Sequence, residues 1–436
     1  MANGVSRSLT GRAASNAPGQ PKAPLGPRQF TAILSMIMAM GALAIDLMLP
    51  AFDDIRDHYG LTADSTRVAQ VVTTFLLGMA LAQVFYGPLA DRFGRKPVLY
   101  AGFLIYGLGA LGSLLAPSLE LLLVSRFIWG VGSAGPRVVA VSIVRDSFSG
   151  EQMAKAMSYI MAVFIMVPIL APSVGAGLIA IFPWQSVFVF CLAIVIAMAI
   201  WARVLPETLD PANRLPIDRR SISGAVREVV TNRLTIGYTM AMTMTFAVFS
   251  SYLASSERIF GEIYGRPDQF PIIFGGVAAV MGVAILMNAR LVERIGARRM
   301  VHIALVSYVA VAVIFLAGVT AGTGAASFVT FTGGLLVMLG LHAILIPNFN
   351  TIALLPMGHI AGTASAVVGT ISLAGGAFLG SFIDRLYEDS VSPMIVSFAL
   401  FGALALGFVL WAERGRLFAG PEAESMAAEP IRPSTQ

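Results

Sequence analysis

Leu89-Ala90-Asp91-Arg92-Phe93-Gly94-Arg95-Lys96 and Leu291-Val292-Glu293-Arg294-Ile295-Gly296-Ala297-Arg298 carry one pattern at an offset of 202 residues. Each sets a leucine, an acid, an arginine, a glycine and a closing cation at the same spacing. Each also follows an apolar run of about 20 residues, the length that crosses a bilayer. Eight residues can match by chance, but a match at equivalent places in two hydrophobic series is better explained by duplication. Duplicated halves made of membrane spans are the organisation of carriers that rock about a midplane site.

The rest of the chain agrees. Of its 436 residues 57% are hydrophobic and 12% charged, with mean hydropathy +0.79, where a soluble domain carries roughly twice that charge. Apolar runs predict spans near 29–51, 69–90, 97–117, 119–144, 155–181 and 184–204, then 232–256, 269–291, 299–319, 326–347, 360–386 and 391–412. The segment 205–231, rich in Pro, Arg and Asp, is too polar for hydrocarbon and divides six spans from six. The expected fold is therefore an all-α membrane protein of twelve transmembrane helices in two pseudo-symmetric six-helix bundles, 29–204 and 232–412. A central cytoplasmic loop, 205–231, joins them, and the polar tails 1–28 and 413–436 read as disordered. A barrel would show alternating segments of about ten residues instead.

Cations fix the expected orientation, because Lys and Arg near short loops are retained on the cytoplasmic side. With both ends inside, the cytoplasmic segments hold 22 of the 29 cations and the outer loops five, while Arg126 and Arg137 lie within the fourth span. That places a multi-pass protein in the cell's inner, or plasma, membrane. The first 28 residues lack the apolar centre of a cleaved signal peptide. The lone Cys191 leaves no disulfide framework and no cysteine metal site. No cluster of His, Asp and Glu, no nucleophile motif and no phosphate loop is present, which argues against an enzyme, a cofactor, a metal or ATP drive. A small-molecule substrate, protons and membrane lipid are the expected partners, with no nucleic acid.

Four motifs resemble the major facilitator superfamily, and within it the drug:proton antiporters of the Bcr/CflA type. Gly87-Pro88-Leu89-Ala90-Asp91-Arg92-Phe93-Gly94-Arg95-Lys96 is similar to the signature loop between helices two and three. In the fourth span Arg126, Gly130, Gly132 and Ala134 fit L-x-x-x-R-x-x-Q-G-x-G-x-A, with Trp129 in place of the glutamine. Ala171-Pro172-Ser173-Val174-Gly175-Ala176-Gly177 is similar to the antiporter motif of the fifth span, and Ala44-Ile45-Asp46-Leu47-Met48-Leu49-Pro50 to the first-span segment of Bcr/CflA members. The resemblance implies a proton-coupled monomeric exporter of drugs or other small amphipathic molecules. A carrier dedicated to a defined nutrient or metabolite is the alternative.

An ionisable side chain within a span costs roughly 2.5–3.5 kcal/mol on insertion scales and so marks a function. Asp46 is the carboxylate deep in the apolar part of the first half, about 6 Å below the outer end of its span at 1.5 Å per residue; Arg126 lies about 9 Å below the start of the fourth. An ion pair between them is geometrically open. Asp46 is read as alternating between a proton and Arg126 or substrate, since burial favours the neutral acid and a nearby cation the carboxylate. One proton crossing 100 mV yields about 2.3 kcal/mol. The alternative is that the two residues only hold the bundle together. Arg137, nearer the cytoplasmic end, is read as snorkelling to the interface.

In the signature loops, Asp91 and Arg92 are expected to pair with neighbours or a helix end, Gly94 to allow the turn, and Arg95 with Lys96 to anchor the interface. Glu293, Arg294 and Gly296 are their counterparts, and Gly87 opens the first loop. By resemblance the first loop latches the outward-facing state. Pro168 and Pro172 predict a bend in the fifth span, with Gly175 and Gly177 allowing close helix approach and, by resemblance, sealing the cavity. Met38, Phe164, Phe249 and Tyr252 are candidates for an adaptable apolar substrate cavity. Asn348 and Asn350 either cap a helix end or bind substrate, and His342 is read as packing or bridging.

Overall fold

The computed structural model describes residues 26–62, 65–214, 219–321, 326–387 and 390–418, and no strand occurs among them. Helix α1, Pro27–Asp46, stops where Pro50 approaches. A proline has no N–H to donate and disfavours a helical residue before it, so the chain passes into a 3-10 turn, Leu49–Ala51. A short α2, Phe52–His58, completes the first crossing. Five long helices follow: α3 (Gln70–Phe93), α4 (Arg95–Leu114), α5 (Leu119–Ser147), α6 (Gly150–Ile179) and α7 (Ser186–Trp201). The expected central loop instead contains a helix, α8, Arg219–Thr231, which buries Ala225 and Val229, four residues apart, and leaves Arg227 exposed. The second half is α9 (Arg233–Arg258), α10 (Phe270–Ile295), α11 (Ala297–Ala321), α12 (Phe328–Leu354), α13 (Ala361–Asp384) and α14 (Ser392–Ala412).

Setting α2 and α8 aside, twelve helices cross, six in each half. Ten segments are long and apolar enough by composition alone; Phe328–Asp384 holds two of the helices, and α9 is the crossing that composition misses. Helix α9 buries Thr235, Thr239, Thr243, Thr245, Ser250, Ser251, Ser255 and Ser256. Several of these hydroxyls bond back one turn, as Thr239 does to the Thr235 carbonyl at 2.7 Å and Thr243 to that of Thr239 at 2.8 Å, which satisfies them inside a low-dielectric bundle. The expected tails fall almost wholly on residues 1–25 and 419–436, outside the described residues.

Small residues set the packing. A methyl group at Gly130 would lie 2.0 Å from the Phe75 carbonyl oxygen, and one at Gly132 would lie 2.1 Å from the Tyr106 nitrogen. Backbones this close are how membrane helices gain dispersion energy in a solvent as apolar as their side chains. The halves meet along two seams, α3 against α13 and α6 against α10. Thr370 donates to the Ala80 carbonyl at 2.8 Å in the first, and a methyl at Gly275 would lie 2.8 Å from the Ile169 carbonyl oxygen in the second.

Candidate functional site: an unpaired acid between the halves

Arg126 is fully buried in α5 and held by the protein itself. Its Nη1 donates to the Ala44 carbonyl at 3.1 Å and its Nε to that of Val71 at 3.2 Å, tying α5 to α1 and α3. The guanidinium lies 4.6 Å from the Phe75 ring centre and 4.7 Å from that of Trp129. Trp129, where the motif has glutamine, thus supplies an aromatic face to the cation. The ion pair open to Asp46 is not formed in this structure: Arg126 turns its Nε and Nη1 to carbonyls, one of them two residues before the acid, and its Nη2 has no partner among the described residues.

Asp46 is the last residue of α1, 3% exposed, and has no hydrogen-bond or ion-pair partner among the described residues. It lies within Coulomb reach of Tyr252 on α9, across the line between the halves. Beside it the backbone is clamped, because a methyl at Gly175 of α6 would sit 2.1 Å from the Leu47 carbonyl oxygen. Gly177, expected to share that role, has nothing within 4 Å of the equivalent point and makes no close approach. Helix α6 also runs unbroken through Pro168 and Pro172, so the expected bend does not interrupt the element.

A second buried acid went unread in the sequence. Asp384, at the end of α13, accepts from Ser251 Oγ at 2.6 Å and Ser255 Oγ at 3.0 Å, both on α9. The two acids contrast: Asp384 is satisfied by its own half, whereas Asp46 is not. A buried polar group without a partner is costly and so needs a reason. The signal for Asp384 was an acid at the end of an otherwise apolar run.

The far ends of the halves, opposite the chain termini, are joined by charge. Arg56 of α2 donates to Glu257 at the end of α9 at 2.8 Å, reaches Glu262 at 2.8 Å, and pairs with Asp53 on its own helix. Glu262 also meets Arg258 at 3.1 Å. Partial burial pushes the Glu262 carboxyl up, with Arg56 and Arg258 pulling the other way. Arg56 and Glu257 lie 201 residues apart in sequence, and no local pattern pairs them.

At the opposite face the first signature loop is an ion network. Gly94 turns with φ 103 and Arg95 is buried, bonding Asp91 one turn back and Asp146 of α5 at 2.8 Å. Arg95 therefore does not lie in the interface as an anchor. Glu207, beyond α7, accepts from the Arg95 and Lys96 backbone nitrogens at 2.9 and 3.0 Å, an anion on a helix N-terminus. Lys96 Nζ reaches the carbonyls of Arg203 and Leu205. Arg92 is exposed over Phe93 and pairs with no acid among the described residues. Gly87 has open space beside it. Glu293 and Arg294 are exposed, and Gly296 turns with φ 79.

Of the cavity candidates, Phe249 and Tyr252 come together: Phe249 stacks on His342 at 4.9 Å, and Tyr252 on Phe274 at 5.6 Å. The Tyr252 hydroxyl and His342 Nδ1 have no hydrogen-bond partner among the described residues. Met38 is packed in the core of the first half, and Phe164 is half-buried on α6. Asn348 caps nothing. It lies inside α12 and donates to Asn288 of α10 at 2.8 Å; Asn350 is half-buried in the same helix. Cys191 is buried in α7. Arg137 is exposed on α5.

Two six-helix bundles, joined by charge at one end and holding a partnerless acid between them, define a multi-pass membrane carrier. The family model described as Major Facilitator Superfamily matches residues 31–381, and the chain belongs to that superfamily. It is 31% identical to a bicyclomycin resistance protein homolog of Haemophilus influenzae, over 83% of this chain and 90% of the relative. It is 29% identical to the multidrug resistance protein MdtL of Salmonella heidelberg, over 84% and 94%. Among solved structures, the inward-open xylose transporter XylE from E. coli shares its fold with TM-score 0.69 at 12% identity, covering 92% of this chain and 99% of that one. The likeness to Bcr/CflA-type proteins read from the motifs agrees with these relatives.

Proposed function

We propose that this chain is a proton-coupled exporter of drugs or similar small amphipathic molecules, seated in the inner membrane with both termini in the cytoplasm. The observation that carries the reading is Asp46: an acid between the halves, left without a protein partner, at the end of a helix whose next residue is clamped by α6. A proton taken up there from outside removes a charge from between the halves; its release inward restores the charge, so the outer and inner ends of the cleft open alternately. The ties between Arg56 and Glu257 and between Arg56 and Glu262 close the outer end in the state described, and they have to part for the outward-facing one. The clamp of Gly175 on α1 keeps proton and substrate movements coupled. Relatives named for bicyclomycin and multidrug resistance support export of such compounds.

The test is Asp46→Asn in proteoliposomes with an imposed proton gradient, alongside drug tolerance of an efflux-deficient host. We expect gradient-driven transport to fall at least tenfold while the protein stays folded and still binds substrate. Full proton-driven transport by the variant would overturn the assignment. A wild-type chain that changes tolerance to no compound in a broad panel would instead favour a dedicated metabolite carrier.

A further inference from the structure

Arg137 sits on α5 eleven residues after Arg126. At 3.6 residues per turn this is about three full turns, so the two share a face. That face looks into the protein. Arg126 reaches Ala44 of α1, and between the two arginines a methyl at Gly41 of α1 would come 2.8 Å from Ser133 Oγ. The exposed Leu121, Val124 and Ile128 mark the opposite, lipid-facing side. The Arg137 side chain is exposed on that same inward-looking face, so the surface it borders is the cleft between the halves.

Nothing in the protein answers its charge. No acid, carbonyl or hydroxyl among the described residues bonds Arg137, and no charged group lies within Coulomb reach of it. The other buried arginines are held by the protein: Arg56 by three acids, Arg95 by two, Arg258 by Glu262 and the Tyr387 carbonyl, and Arg126, with its Nη2 left over, by two carbonyls and two rings. An uncompensated guanidinium at membrane depth marks a site by default, and its planar fork matches carboxylate, sulfonate and phosphate oxygens.

We propose that Arg137 binds an anionic group of the transported molecule, so that the substrates are anionic or zwitterionic amphiphiles. This rests on reading the chain as an exporter and deepens it. The apolar body of such a substrate faces the half-buried Phe249 and the aromatic stack behind it. The substrate's anion supplies the counter-charge that the protein omits, which gives the empty cleft a standing preference for negative ligands.

The test uses the purified full chain and matched aromatic pairs that differ only in charge: 2-naphthoate with 2-naphthamide, and 2-naphthalenesulfonate with its sulfonamide. Calorimetric titration of the wild type should show the anion of at least one pair binding tenfold or more tightly than its amide. Arg137→Gln should abolish that preference without moving amide affinity more than twofold, and Arg137→Lys should keep part of it. If neither anion outbinds its amide in the wild type, or if Arg137→Gln keeps the preference, the proposal falls. Arg137→Cys in a Cys191→Ser chain separates cleft from lipid and tests a folded variant directly. A water-borne sulfonated methanethiosulfonate should label it, and the bound anion should protect it. A folded, unlabelled variant would place the side chain in lipid and overturn the proposal. Asp46→Asn should leave the anion preference intact, so failure of proton coupling and failure of anion recognition are read separately.

Discussion

At Gly94 the chain turns with φ 103 between α3 and α4, and at Gly296 it turns with φ 79 between α10 and α11. The backbones are copies, because only glycine adopts such φ values without strain. The side chains around them have diverged. Around the first turn, Arg95 ties Asp91 to Asp146 and Glu207 accepts two backbone N–H groups, so α3, α4, α5 and the segment after α7 form one unit. In the second turn Ala297 stands where Arg95 does. The remaining cation, Arg298, meets Glu413 at 3.2 Å, and Glu413 also accepts from Tyr238 at 2.7 Å. Duplication has preserved the turn, which geometry demands, and not the ion network, which it does not. The first half is therefore the more tightly bound at the face carrying the termini.

Substitutions can break this contrast. Arg95→Ala removes a buried cation from two partly exposed acids and should cost about 2–3 kcal/mol, discounted for the solvent those acids still see. Arg298→Ala removes one cation from one mostly buried acid, Glu413, which keeps the Tyr238 hydroxyl, and should cost about 1–2 kcal/mol. Melting of the purified protein in detergent measures both, and equal losses would erase the asymmetry. Next come the glycines. Gly94→Ala should cost about 2 kcal/mol, because strain at positive φ adds to a contact 2.7 Å from Glu207 Oε2. Gly296→Ala meets open space and should cost about 1 kcal/mol; a larger loss at Gly296 in the same melting assay would reverse the ranking. The smallest effect sharpens the comparison. Glu207→Gln should lose about 1 kcal/mol by removing an anion from the α4 N-terminus, and Ala297→Arg, which sets a cation on the half-buried first residue of α11, should lose about 0.5–1 kcal/mol.

The fold was legible because lipid enforces it: runs of about 20 apolar residues and a cation bias leave few alternatives. Helix α9 shows the limit: its hydroxyls, several satisfied by carbonyls one turn back, lower its hydropathy below that of the other spans. Within the site, Asp46 and Arg126 were readable as charges out of place. Their orientations were not, because depth along two helices does not say which way each side chain turns. Arg56 with Glu257, and Glu207 with the start of α4, join residues more than 100 positions apart, and they read as ordinary loop charges until the helices are assembled. Arg137 was visible as a cation, while its direction emerged only from the face that α5 shares with Ser133 and Arg126.

Helix α6 touches both halves with bare backbone on one side or the other: its Gly175 meets the Leu47 carbonyl of α1, and its Ile169 carbonyl meets Gly275 of α10. The two contacts are six residues apart, about 9 Å along one rigid rod. Neither has slack, since close-packed interiors pass displacement on instead of absorbing it. A shift of a few tenths of an ångström in the peptide after Asp46 therefore reaches the opposite bundle through one helix, with no side chain required to relay it.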